Sequence, residues 1–85
     1  MKKIAVLSII IEKATDENVL KINEILHEFR EFVLGRMGLP DKVHGVNLIS
    51  VSLFATMDTL NAITGKLGNV SSVSAKILVS NKDYE

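Results

Sequence analysis

The 85-residue chain sets ten Lys and Arg against ten Asp and Glu, a formal net charge of zero. With no basic cluster it lacks the electrostatic footprint of a nucleic-acid binder, and direct nucleic-acid contact is not expected. It has no Cys, which excludes disulfides, thiolate nucleophiles and Cys-ligated metals. A single domain over residues 1–85 is expected, burying only about 60 to 65% of the surface its unfolded chain exposes. Yet 47% of its residues are apolar, so part of that surface is expected in a subunit interface.

Lys2 to Glu12 is rich in β-branched residues and apolar on both sides, Ala5, Leu7, Ile9 and Ile11 on one, Ile4, Val6 and Ile10 with Ser8 on the other. This reads as a central strand covered on both faces. The run ends at Glu12-Lys13 with no small-residue cleavage pattern, which argues against a signal peptide. No stretch is long enough to span a membrane, and a cytoplasmic location is the default expectation. Thr15 and Asp16 can cap a helix to about Arg30, with Val19, Ile22, Ile25, Leu26 and Phe29 along one stripe.

Phe32 to Leu39 reads as a second strand, interrupted by Gly35 and Gly38, and Pro40-Asp41-Lys42 as a loop. Val43 to Ala55 is the longest strand pattern: Asn47, Ile49, Val51 and Leu53 alternate with Leu48, Ser50, Ser52 and Phe54. Thr56 can cap a second helix with Met57, Leu60, Ile63 and Leu67 inward, ending at Gly68-Asn69 in a left-handed cap. Gly65 inside it points to close packing against a neighbour. In Val70 to Ser80, Val73, Ala75, Ile77 and Val79 face inward and Ser72, Ser74, Lys76, Leu78 and Ser80 outward. Asn81 to Glu85 reads as a frayed tail.

The order βαββαβ is that of the α+β ferredoxin-like fold. It predicts a four-stranded antiparallel sheet of order 4-1-3-2 with both helices on one face. The other face then carries Ile4, Val6, Ile10, Leu48 and Phe54, too much apolar surface for a monomer. Ser8, Ser50, Ser52 and Ser74 share that face, either as a polar seam in an interface or as contacts to a small ligand. With no base beside them they do not resemble activated nucleophiles. Arg36, between two glycines, could pair with a carboxylate of a partner or an anionic ligand, or simply blunt an edge strand. His27 and His44 read as solvated, since neither is spaced with metal-ligating residues. Glu24, Glu28 and Glu31 read as an ordinary solvated face beside Glu17 and Lys21. No cofactor and no metal site is expected.

The segments IAVLSIIIE at Ile4 to Glu12, KINEILHEF at Lys21 to Phe29, GRMGLP at Gly35 to Pro40 and ITGKLGNV at Ile63 to Val70 carry a resemblance. Together they resemble the small stand-alone ACT-like proteins grouped as regulators of the iron-only hydrogenase system. That family is similar in fold to the C-terminal, metal-sensing domain of nickel-responsive repressors, whose tetramers bury their sheet faces. The resemblance implies a regulatory homo-oligomer, dimer or tetramer. The nickel repressors place histidine ligands on the strand matching Asn47 to Leu53, where this chain reads Ser50 and Ser52. It also lacks a cysteine near Met57 and Asp58, so nickel sensing does not carry over. Nor does the loop Lys13 to Asp16 hold the glycine common in ACT-type amino-acid sites.

The expectation is a non-enzymatic regulatory module that self-associates and binds a small effector or a protein partner. A small ferredoxin-like enzyme with a substrate cavity, or a divalent-metal binder using His44 and acidic residues across subunits, are the alternatives.

Overall fold

Alternation and capping set the elements of the computed structural model, which describes residues 1–85. They run β1 (Lys3–Ile11), α1 (Asp16–Glu28), a 3-10 turn (Arg30–Phe32), β2 (Val33–Asp41), β3 (Val46–Ala55), α2 (Met57–Gly68) and β4 (Val73–Val79). The sheet order is β2-β3-β1-β4, the expected 4-1-3-2 counted from the other edge, with every pairing antiparallel. The fold is the ferredoxin-like α+β sandwich.

Period-two alternation puts Ala5, Leu7, Ile9 and Ile11 of β1 against the helices, beside Ile49, Val51, Leu53 and Ala55 of β3. Ile22 and Leu26 of α1 and Leu60, Ile63 and Leu67 of α2 close this one core from above. Thr15 and Thr56 cap the helices, their hydroxyls accepting from the backbone N–H of Asn18 and Thr59. Lys66 ties the helices together, 2.6 Å from Glu28 and above the Phe29 ring. On the solvated side of α1, Lys21 meets Glu17 at 3.2 Å.

Several local expectations fail, each for a physical reason. Pro40 and Asp41 belong to β2, because an edge strand tolerates a residue with no N–H to give. The turn therefore falls at residues 42–45, and β3 begins at Val46 rather than Val43. α1 stops at Glu28 and tightens into the 3-10 turn. Asn69, after α2, is right-handed (φ −86°); the left-handed residues are Gly45 (φ 70°) and Ser72 (φ 62°), and β4 starts only after the latter. Met57 lies exposed at the start of α2. Gly65 has no neighbour, since a Cβ there would meet nothing within 4 Å.

The tail is not frayed. Lys2 and Tyr84 exchange backbone hydrogen bonds of 2.7 and 2.8 Å, Asp83 meets Lys3 at 2.8 Å, and Tyr84 packs edge-on against Phe54 with centroids 5.9 Å apart.

Candidate functional site

β1 is central but covered on one side only. On the helix-free face its residues Ile4, Val6 and Ile10 remain 37% to 40% exposed, as does Leu48 of β3. Strand register fixes what lies around them. Met37, Ser50, Ser8 and Lys76 form one row across the sheet. Leu39, Leu48, Ile10 and Ser74 form the row on one side of it, and Gly35, Ser52, Val6 and Leu78 the row on the other. The face is therefore an apolar field with a pair of hydroxyls, Ser8 and Ser50, at its centre.

Beside that pair is a depression of about 340 Å³, walled by Ile10, Met37, Leu39 and Leu48. Ser8 is exposed and Ser50 half-buried, and no buried polar side chain in the chain lacks a partner. Ser74 lies at the margin opposite Ile10, and Ser52 one row away opposite Val6. The structure thus brings Ser8 and Ser50 together and sets Ser52 and Ser74 around them. Lys76 flanks Ser8 on β4.

Arg36 is not part of this group. A bulge between Val33 and Gly35 shifts the parity of β2, so Arg36 sits opposite inward-facing Val51 and reaches α1. There its guanidinium donates to the Asn23 side chain at 3.0 Å. It lines a second depression, about 330 Å³, with His27 and Arg30. Arg30 spends one donor on the His27 carbonyl at 3.0 Å. The remaining N–H groups of two guanidiniums suit a carboxylate or phosphate.

The largest cleft, about 530 Å³, lies between the start of α1 and the β2–β3 hairpin, beside the loop Lys13 to Asp16 that lacks the ACT-type glycine. Asp16, Asn23, Asp41, Lys42 and Asn47 give it a polar lining. The Ala14 N–H, bonded to the Gly45 carbonyl at 2.9 Å, ties the loop before α1 to the hairpin turn. In that turn the Asp41 carboxylate accepts from the backbone N–H of Val43 and His44 and meets His44 Nδ1 at 2.7 Å. His44 is therefore paired rather than simply solvated. The bond from the His44 ring, seconded by the two backbone donors, holds the Asp41 carboxyl below its ordinary value. No three His, Asp or Glu side chains converge as metal ligands would.

Solved structures share this fold. That of "uncharacterized protein TM1266 from Thermotoga maritima" superposes with a TM-score of 0.90 at 32% identity, covering 93% of this chain and 98% of that one. A formyltetrahydrofolate deformylase from Pseudomonas putida KT2440 matches at 0.67 and 14% identity, covering 93% of this chain and 29% of the deformylase. A functionally unknown protein from Pediococcus pentosaceus ATCC 25745 matches at 0.60 and 8% identity, covering 100% of this chain and 98% of that one. The last two share the fold alone. No curated protein matches the chain. Residues 3–77 match the TM1266-like family, described as "Iron-only hydrogenase system regulator, putative", and the chain belongs to that family.

Proposed function

We propose that the chain is a non-enzymatic regulatory module of the iron-only hydrogenase system that works by self-association through its helix-free sheet face. The observation that carries this reading is the apolar field of Ile4, Val6, Ile10, Leu48 and Leu78 around Ser8 and Ser50. Its size supports a second copy as the occupant. Strands about 4.8 Å apart, rising about 3.3 Å per residue, make a four-stranded face of this length roughly 20 by 25 Å. Allowing for side-chain relief, that is close to the roughly 800 Å² per partner of a stable interface.

No hydrogen-bonded base activates either serine, so the face suits binding rather than group transfer. Paired across the interface, the hydroxyls satisfy one another and fix the register of the two sheets.

A small effector is favoured by the cleft at the start of α1, whose polar side chains could bond it. Arg36 offers an anionic group a second landing point. Effector binding beside the hairpin would then bias how the sheet faces meet.

Native mass spectrometry of protein purified without chelator or affinity metal tests both parts. A dimer or tetramer is expected, and a reproducible extra mass lost on denaturation would mark the effector. Ile10→Asp, which buries an unpaired carboxylate in the interface, should weaken association by about a hundredfold or more while leaving the monomer's core intact. A wild-type chain that stays monomeric at micromolar concentration would overturn the reading.

A further inference from the structure

The two edges of the sheet are built differently. β2 is protected against pairing: it carries the bulge at Val33 and Gly35, a second glycine at Gly38, and Pro40, which has no N–H to donate. β4, VSAKILV, has no bulge, glycine or proline, and its one edge-blunting group is the exposed Lys76 at mid-strand.

Register shows which of its groups are free. Ser80 donates to the Ile4 carbonyl, and Glu12 donates to the Ser72 carbonyl. Hydrogen-bonded pairs alternate in an antiparallel ladder, so Ser74, Lys76 and Leu78 bond β1 while Val73, Ala75, Ile77 and Val79 turn their N–H and C=O groups outward. None of these four appears in any of the backbone bonds outside the ladders. Their side chains face the helices yet are only half-buried, as expected of a core layer left open at one side.

We propose that β4 is a second self-association surface, pairing antiparallel with β4 of another copy to join two sheets into one. The two-fold axis passes through Ile77, perpendicular to the sheet. Ile77 then pairs with its own copy and Ala75 with Val79, each pair exchanging two backbone bonds. The helix-side residues Ala75, Ile77 and Val79 meet their equivalents and finish the half-covered core.

Lys76 selects this register. Centred on Lys76 itself, the pairing would set two like charges directly opposite. Centred on Ile77, Lys76 lies opposite Leu78, whose 74% exposure is reduced under the lysine stem. Both copies keep their helices on the same side, so the helix-free faces merge into one surface of twice the area. Edge pairing combined with face packing gives a tetramer; either one alone gives a dimer. The inference goes beyond the face-packing reading and does not depend on it.

Amide hydrogen exchange of the ¹⁵N-labelled full chain, followed by NMR at dilute and concentrated conditions, tests it. Ser74, Lys76 and Leu78 should be protected throughout. Ala75, Ile77 and Val79 should exchange freely when dilute and at least about tenfold more slowly when concentrated. Ala75→Pro, which deletes an outward N–H, should weaken association by about tenfold or more in sedimentation equilibrium, and Ala75→Ser should not. Should that proline variant fail to fold, the wild-type exchange data decide alone. Free exchange at Ala75, Ile77 and Val79 at every concentration would overturn the inference, even in a chain that associates through its sheet face. A fall from tetramer to dimer in Ile10→Asp, with the concentration-dependent protection of β4 retained, would separate the two surfaces.

Discussion

The Asp41 carboxylate lies 2.7 Å from His44 Nδ1 while its other oxygen accepts from two backbone N–H groups. A carboxylate can only accept, so the Nδ1 nitrogen carries the proton of that bond. The hairpin turn is thus organised around one ionised group. Because the folded-state pKa of Asp41 is lowered from 3.8, its contribution to stability is complete above that value. It is lost as pH falls through the lowered one. Asp41→Asn should lower stability at neutral pH and change it little near pH 2, so that this acid limb of stability against pH, read from urea midpoints between pH 7 and about pH 2, becomes flatter. An unaltered acid limb would show that other carboxylates set it.

Gly65 costs α2 conformational entropy without an evident return, since its position is open. Gly65→Ala should stabilise the chain by about 1 kcal/mol. Chemical denaturation measures this directly, and a loss of stability would reveal a close neighbour in the assembled state.

Ser8 and Ser50 separate the two roles open to the helix-free face. Ser8→Val together with Ser50→Val enlarges the apolar field and should tighten self-association by about tenfold, read by sedimentation equilibrium. Weaker association would mean that the hydroxyls themselves hold the interface. A retained mass that disappears in the double variant would place the effector on this face rather than beside the hairpin.

Tyr84 anchors the tail through its ring on Phe54 and its backbone on Lys2. Tyr84→Ala should cost about 1 kcal/mol and speed amide exchange at Lys2. Unchanged exchange there would show that the backbone pairing holds the tail by itself.

The order of elements, the sheet topology and the inward residues of β1 and β3 were legible because alternation and helical spacing report burial directly. So was the meeting of Ser8 with Ser50, which follows from strand parity once the order of strands is known. Arg36 was not placed by parity. From Val33 inward, simple alternation would put it on the serine face, and one extra residue in the bulge moves it to the helix side. The left-handed residue near α2 was misjudged for a related reason. Gly68-Asn69 has the composition of such a cap, yet the chain makes its turn at Ser72, where it must swing into β4. The tail was illegible because its partners are Lys2, Lys3 and Phe54, far away in sequence. The largest cleft was equally hidden, since only the docking of the hairpin turn against the loop before α1 creates it.

The pairing of Lys2 with Tyr84 also makes the molecule nearly a ring. A short linker between these two positions would close the backbone, and new ends could be opened at the irregular stretch near Ser72 without cutting a strand or a helix. Such a permutant would separate β4 from α2 in sequence while keeping every strand pairing. Whether it folds as fast as the parent would show how far the α2–β4 connection, rather than the sheet itself, guides folding.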